Sequence, residues 1–217
     1  MRLYSYWRSS SSWRVRIGLN LKGLTYEYVA VNLLAGEQFS PEHRTRNPAS
    51  QVPVLEAEAG GRRVTLVQSM AILEWLEERY PAPPLLPRDP EARAVVRALA
   101  ELVNSGIQPL QNSAVLKMLK EKEPGYEKTW ARHFITAGLA SLERSIAPLG
   151  SRFASGDQPS LADCYLVPQL YSARRFGVDL APYPSLRRIE EACDALPAFS
   201  AAHAERQPDA PPKEGRS

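Results

Sequence analysis

The chain has 217 residues, a formal net charge of +3 and a hydrophobic fraction of 44%. This length suits one large domain or two small ones, and the composition excludes a disordered or fibrous protein. The charges form no long run, which argues against nucleic-acid binding, and no apolar stretch is long enough to cross a bilayer. Two cysteines do not suggest a disulfide framework, and three scattered histidines lack metal-ligand spacing, so we expect a cytoplasmic protein without a metal.

The first eighty residues alternate between strand-like and helical patterns. The spacing of apolar residues predicts six elements: strands at 2–6, 25–32, 52–57 and 63–67, and helices at 12–22 and 69–80. A further short helix fits residues 38–46. Gly60 and Gly61 separate the third and fourth strands, which predicts a hairpin. The order of elements, β-α-β-β-β-α, indicates an α/β domain.

Prolines cluster over residues 81–87, and the local pattern changes there. We therefore place a first domain at 1–82 and a second domain at 88–210. Helical periodicity after the prolines predicts that the second domain is all-α, and the spacing within Ser160–Asp163 is that of a capping box at a helix start. Residues 211–217 have little apolar content and are predicted to be a flexible tail.

Four consecutive serines, Ser9–Ser12, follow the first strand and lead into the first helix. At a helix N-terminus, backbone N–H groups and the positive end of the helix dipole stabilise an anion beside such hydroxyls. The alternative is that one serine caps the helix and the others are solvated. The serines by themselves leave both interpretations open.

Arg8, Arg14 and Arg16 surround this serine-rich turn. A guanidinium group can bind a carboxylate through two parallel hydrogen bonds, and Arg8 within the turn is the best placed to do so. For Arg14 and Arg16 the alternative is a solvated helix face or a salt bridge. Arg174 and Arg175 raise the same question in the second domain, but their spacing does not bring them near Arg8.

Residues 6–17, Tyr-Trp-Arg-Ser-Ser-Ser-Ser-Trp-Arg-Val-Arg-Ile, resemble the signature of the zeta-class glutathione transferases, in which a Ser-Ser-Cys turn precedes Trp-Arg-Val-Arg-Ile-Ala-Leu. The resemblance continues in order through both domains, at residues 47–48, 51–53, 68–69, 106–112, 161–164, 167–169 and 175–176. It implies a thioredoxin-like first domain, an all-helical second domain and a homodimer.

The resemblance also implies a glutathione site with unequal roles for the matching residues. Ser9 would hydrogen-bond the glutathione sulfur, and Ser10 and Arg8 would complete the catalytic group. The implied glutathione contacts are Ser9, Ser10, Ser11, Gln38, Gln51, Val52, Gln68, Ser69, Gln108 and Asn112. Val52 would precede a cis proline, Gln68 and Ser69 would hold the γ-glutamyl carboxylate, and Arg8 and Arg175 would bind the carboxylates of the substrate.

One residue departs from the pattern of the family. Ser11 stands where the zeta-class turn usually has cysteine. A hydroxyl of ordinary pKa cannot replace a thiol as nucleophile, so any activity that needs a protein thiol at this place is in doubt. Isomerisation that uses only the glutathione sulfur would lose little.

The chemistry that the resemblance implies is cis–trans isomerisation of a small maleyl diketo acid with glutathione as a regenerated cofactor. The serine-rich turn favours maleylacetoacetate, an intermediate of tyrosine and phenylalanine breakdown, whereas residues 165–169 and 172–176 are similar to maleylpyruvate isomerases of the gentisate pathway. A glutathione transferase or dehalogenase of small α-halo acids is a further alternative. So is a glutathione-binding interaction module without catalysis.

Overall fold

The computed structural model describes residues 1–212 of the chain, and these form two compact units. The first unit contains Met1–Pro83 together with the segment that begins at Pro197, and the second contains Pro84–Leu196. The sequence pattern placed 88–210 in one helical domain, whereas in the structure the chain from Pro197 returns to the first unit. Of the tail predicted at 211–217, the part from residue 213 lies outside the described residues.

The first unit is built around a four-stranded mixed sheet with the strand order β2-β1-β3-β4. Strand β1 is parallel to β2 and antiparallel to β3, and β3 is antiparallel to β4. The strands are β1 Arg2–Ser5, β2 Glu27–Ala30, β3 Val54–Ala59 and β4 Arg62–Val67. Gly60 and Gly61 both have a left-handed φ, as a two-residue hairpin turn between β3 and β4 requires.

The helices of the first unit are α1 Ser10–Leu21, α2 Pro41–Arg46, α3 Ser69–Arg79 and, from the C-terminal segment, α9 Pro197–Ala202. The predicted order β-α-β-β-β-α is confirmed, with α2 inserted before β3. Helix α1 begins two residues earlier than the apolar spacing indicated, because serines start a helix through capping rather than through periodicity. Helix α1 packs against both α3 and α9.

The second unit is all-α within the described residues, as predicted. Its helices are α4 Pro90–Asn104, α5 Ser113–Lys122, α6 Tyr126–Ile146, α7 Leu161–Arg175 and α8 Pro184–Asp194. Helix α7 is buried along most of its length and packs on α4 and α8. Among the described helices, none is long and apolar enough to span a membrane.

The capping box predicted at the start of α7 is confirmed. The carboxylate of Asp163 accepts the backbone N–H of Ser160 at 2.7 Å and the N–H of Ala154 at 2.8 Å. Asp163 is fully buried, and the burial raises the pKa of its carboxyl group while these hydrogen bonds oppose the rise. The box therefore fixes the start of α7 and the loop before it.

Candidate active site

The serine-rich turn places Ser9 at the N-cap of α1. Its backbone is extended, with φ −66° and ψ 114°, and its Oγ accepts the N–H of Ser12 at 3.2 Å. The carbonyl of Ser9 accepts the N–H of Trp13 at 2.9 Å. A hydroxyl has one donor hydrogen besides its acceptor lone pairs, so capping the helix does not use the hydrogen of Ser9. The cap thus fixes the position of the Ser9 oxygen through its role as acceptor.

Ser10 and Ser11 form the first turn of α1 and are half-buried, whereas Ser12 is fully buried. The first N–H groups of a helix have no partner within the helix, and they carry the positive end of its dipole. The first turn of α1 contains no acidic residue that would neutralise this potential. The arrangement therefore favours a negative charge beside Ser9 and Ser10.

Arg8 differs from the two other arginines of this region. Its side chain is half-buried, and its Cζ lies 5.1 Å from the centre of the Trp7 ring. Arg14 and Arg16 are almost completely buried, with exposed fractions of 1% and 0%. The alternative of a solvated helix face is therefore wrong for both, because each guanidinium lies inside the unit and donates to protein oxygens.

The partners of these buried arginines are oxygens that the sequence pattern does not reveal. Arg14 Nη1 donates to Ser69 Oγ at 3.2 Å, which joins α1 to the start of α3. Arg16 donates to four oxygens: Ser5 Oγ, Tyr6 O, Trp7 O and Ala202 O. Burial lowers the pKa of Arg16 to about 10, so it remains protonated at neutral pH.

Gln51 and Gln68 are brought together by the loop before β3 and the turn before α3. Gln68 Nε2 donates to Gln51 Oε1 at 3.3 Å. The backbone carbonyl of Gln51 accepts from Asn47 Nδ2 at 2.9 Å and lies 2.9 Å from His43 Nε2. Asn47 and His43 thus hold the loop that leads into the Val52–Pro53 peptide bond, which is cis as the resemblance implied.

Gln68 has a positive φ, with φ 69° and ψ 120°, directly before α3. This region is unfavourable for residues other than glycine and is enriched at ligand sites. Ser69 follows as the first residue of α3 and is buried, with its hydroxyl bound by Arg14. The Gln68 side chain and the N-terminus of α3 therefore lie next to each other, and the bond from Arg14 to Ser69 holds this part of the backbone in place.

Gln38 lies in a short 3₁₀ helix, Glu37–Phe39. Its amide oxygen is buried and has no hydrogen-bond partner among the described residues. Buried polar atoms in folded proteins are nearly always paired, so this oxygen is suited to accept an N–H from a ligand.

Two of the predicted contacts, Gln108 and Asn112, lie at the two ends of one turn in the second unit. Gln108 begins a 3₁₀ helix after Ile107, whose side chain packs against Gly138 of α6. Asn112 caps α5, because its Oδ1 accepts the N–H of Ala114 at 3.0 Å. The capping role occupies the amide oxygen of Asn112 and leaves its NH₂ group as donor.

Arg174 and Arg175 at the end of α7 differ in their contacts. Arg174 forms a two-bond ion pair with Glu190, in which Nη1 lies 2.6 Å from Oε1 and Nη2 bonds Oε2. Arg175 is exposed, and its Cζ lies 5.6 Å from the Phe176 ring. Arg174 is therefore held by a structural ion pair.

Comparison with known proteins identifies the family. Residues 1–78 match the model described as Glutathione S-transferase, N-terminal domain, and residues 128–202 match the Glutathione S-transferase, C-terminal domain. The chain belongs to the glutathione S-transferase family. This finding confirms the resemblance seen in the serine-rich turn, together with the expected fold of a mixed sheet domain followed by a helical domain.

The relatives of this glutathione S-transferase include named isomerases. Maleylacetoacetate isomerase of Mus musculus is 48% identical over 211 residues, which cover 96% of this chain and 94% of that protein. Maleylpyruvate isomerase of a Ralstonia species is 47% identical over 214 residues, covering 96% of this chain and 99% of that protein.

A solved structure of maleylacetoacetate isomerase from Anaeromyxobacter dehalogenans 2CP-1 has glutathione bound in its active site. It is 68% identical to this chain, and the match covers 97% of both chains with a TM-score of 0.91. Another structure of that isomerase contains dicarboxyethyl glutathione and citrate. It is 66% identical to this chain, with a TM-score of 0.91, and the match covers 100% of this chain and 96% of that one.

Proposed function

We propose that this glutathione S-transferase is a glutathione-dependent cis–trans isomerase that converts maleylacetoacetate to fumarylacetoacetate. The observation that carries the proposal is the Ser9 cap, in which the hydroxyl oxygen is fixed by Ser12 N–H and the hydrogen remains to donate. Near-half identity over almost the full length of relatives named as isomerases supports the reaction class.

The residues of the first unit fit glutathione as a cofactor. When bound, glutathione supplies a thiolate that adds to the cis double bond of the substrate and leaves after the bond has rotated. Ser9 would donate its hydroxyl hydrogen to the sulfur, and Ser10 and Ser11 would offer the N–H groups of the first turn. Both kinds of donor stabilise a thiolate relative to a thiol, and the thiolate is the reactive form.

The remaining contacts of the first unit would hold the rest of the tripeptide. Gln68 and Ser69 at the start of α3 would bind a carboxylate, since a helix N-terminus attracts an anion. The buried amide oxygen of Gln38 would accept an N–H, and Gln51 would contribute its amide beside that of Gln68. Val52 would offer its backbone before the cis proline.

We propose that Arg8 and Arg175 bind the carboxylates of the substrate, and that Gln108 and Asn112 contribute further polar contacts. Arg8 directly precedes the serine proposed to hold the sulfur, and a guanidinium there would stabilise negative charge that develops during addition. Arg175 is exposed at the C-terminal end of α7. Two guanidinium groups that bind one dicarboxylate would orient it.

With Ser11 in place of the usual cysteine, the serine-rich turn has no thiol, so the proposed isomerisation uses none from this turn. The two cysteines, Cys164 and Cys193, are buried in the second unit, and burial raises the pKa of the Cys193 thiol. Neither is suited to act as a nucleophile. The sulfur chemistry in this proposal belongs entirely to glutathione.

A spectrophotometric assay with glutathione tests the proposal against its alternatives. Maleylacetoacetate, maleylpyruvate and dichloroacetate are compared as substrates under the same conditions. A preference for maleylacetoacetate supports the proposal, and the Ralstonia relative makes maleylpyruvate the second candidate. Turnover of dichloroacetate alone indicates a dehalogenase, and glutathione binding without any turnover indicates an interaction module.

We further infer a cytoplasmic homodimer that serves tyrosine and phenylalanine breakdown. Both described cysteines are free thiols, which suits a reducing compartment. Light scattering after size-exclusion chromatography measures the oligomeric state, and a monomeric mass contradicts the dimer. Deletion of the gene with growth on tyrosine tests the pathway.

A further inference from the structure

Asp209, far along the chain, is hydrogen-bonded to Trp7, which lies two residues before Ser9. Its Oδ2 accepts the backbone N–H of Trp7 at 2.9 Å, and its Oδ1 accepts the hydroxyl of Tyr28 at 2.6 Å. Both oxygens of the carboxylate are therefore engaged, one by Trp7 and one by Tyr28 of strand β2. Hydrogen bonds to an ionised acceptor are roughly twice as strong as neutral ones.

The carbonyl of Trp7 is also bound. It accepts Arg16 Nη2 at 2.9 Å, while Arg16 Nε donates to the carbonyl of Ala202 at 3.1 Å. Trp7 thus has its N–H held by Asp209 and its C=O held by Arg16. These two bonds restrain the backbone two residues before Ser9 and directly before Arg8.

The segment that carries Asp209 is itself tied down. Gln207 Nε2 donates to the carbonyls of Ala201 and His203, at 3.0 and 2.8 Å. The His203 ring packs edge-on against Trp13 of α1 at a centroid distance of 4.9 Å. Asp209 is therefore presented by an ordered segment, and a carboxylate held in this way can transmit its position to Trp7.

Asp209 also interacts with the buried guanidinium of Arg16. Arg16 is fully buried, and the attraction of Asp209 for its guanidinium opposes the desolvation that lowers the pKa of Arg16. Tyr26 and Tyr28 are the other titratable groups that interact with Arg16. The guanidinium that Asp209 attracts thus also binds the carbonyl of Trp7, whose N–H Asp209 accepts.

We propose that Asp209 is a positioning residue that holds Trp7, and through it Arg8 and the hydroxyl of Ser9, in the orientation that the reaction requires. The proposal rests on the proposed function, because it takes Ser9 as the partner of the glutathione sulfur. Asp209 acts through the backbone of Trp7 and touches no reacting atom. A misplacement of about 1 Å at such a site can lower the rate about 100-fold.

The test compares Asp209→Asn with two further variants. Asparagine keeps the shape but removes the charge: its oxygen can still accept the Trp7 N–H while its NH₂ group faces the Tyr28 hydroxyl, so the bond to Trp7 loses its charge assistance. Tyr28→Phe removes one of the two anchors and leaves the carboxylate intact, so it tests the same idea if Asp209→Asn folds poorly. Glu205→Gln removes an exposed carboxylate of the same segment and is the matched control.

Two readouts separate positioning from general stability. Hydrogen exchange of the Trp7 amide, followed by NMR without glutathione, should accelerate about tenfold or more in Asp209→Asn and stay unchanged in Glu205→Gln. At saturating glutathione, kcat should fall about 10- to 100-fold in Asp209→Asn and by less in Tyr28→Phe. The pKa of the thiol of bound glutathione, measured from thiolate absorbance, should rise more in Asp209→Asn than in Tyr28→Phe.

The outcomes distinguish this inference from the proposed function. If the wild-type protein does not isomerise any maleyl acid, the proposed function fails, and the Trp7 exchange rate still decides whether Asp209 holds the turn. If the wild type is active and Asp209→Asn matches it in kcat, thiol pKa and Trp7 exchange, the inference is overturned. Equal losses in Asp209→Asn and Glu205→Gln also overturn it, because a general charge effect then suffices.

Discussion

Arg14 Nη1 donates to Ser69 Oγ at 3.2 Å, and this buried hydrogen bond joins the helix that Ser9 caps to the helix that follows Gln68. The two helix N-termini that we propose to bind glutathione are thus connected inside the first unit. The connection explains why an arginine of the first helix is buried rather than solvated. It also means that substitutions at either helix start have to be judged by both stability and kinetics.

Ser9→Ala should lower kcat at saturating glutathione by about 100-fold or more, since it removes the donor proposed to stabilise the thiolate. It also removes a helix cap, which costs about 1 kcal/mol of stability. Ser11→Ala, in the same turn, is the matched control and should keep most of the activity. Steady-state kinetics and thermal unfolding of both variants provide the comparison; equal activity in the two would remove the special role of Ser9.

Arg175→Ala should raise KM for the dicarboxylate substrate about tenfold and change KM for glutathione little, because a hydrogen bond to a charged group contributes about 1.5–3 kcal/mol. Arg174→Ala is the contrasting variant. It breaks the ion pair with Glu190, which is partly exposed on the arginine side, and should lower stability modestly without a selective effect on KM. Equal effects of Arg175→Ala on both Michaelis constants contradict the carboxylate role.

Gly138→Ala should destabilise the second unit by about 1–3 kcal/mol through overpacking. A Cβ at this residue would lie 2.3 Å from the Ile107 side chain, which precedes the turn that contains Gln108. Chemical denaturation measures the free energy of unfolding. Gly156→Ala is the control, because a Cβ there meets no atom within 4 Å, and similar losses in the two variants would contradict the packing argument.

Because of Tyr28, the free energy of unfolding should fall as the pH rises into the alkaline range. Burial and the hydrogen bond to Asp209 raise the pKa of Tyr28 above its ordinary value of 10.0. Above pH 10 the unfolded chain therefore loses this proton while the folded protein keeps it, so the free energy of unfolding falls as pH rises. In Tyr28→Phe the fall above pH 10 should be less steep. Chemical denaturation of both proteins above pH 10 measures this dependence. The same slope of unfolding free energy against pH in wild type and Tyr28→Phe would contradict the prediction.

Local sequence signals predicted the features that depend on neighbouring residues. Apolar spacing gave the order of strands and helices, and the Ser160–Asp163 pattern gave the start of α7. The serines before the first helix indicated a cap, and the structure identifies Ser9 as that cap. Each of these features arises from interactions within a few residues of the chain, which is why a pattern can indicate them.

The features that depend on distant pairing could not be predicted from local pattern. Arg14 and Arg16 lie on buried faces because distant hydroxyl and carbonyl oxygens accept their hydrogen bonds. The bond from Asp209 to Trp7 joins residues at opposite ends of the chain, and nothing in a proline-rich segment indicates it. Asn47 and His43 support Gln51 through its backbone carbonyl, a contact that has no signature in side-chain spacing.

The measurement that tests the central claim most directly is the rate at which the purified wild-type protein isomerises maleylacetoacetate with and without glutathione. The account predicts turnover that depends on glutathione, leaves its concentration unchanged, and falls about 100-fold or more in Ser9→Ala. Turnover without glutathione, net consumption of glutathione, or full activity in Ser9→Ala would contradict it.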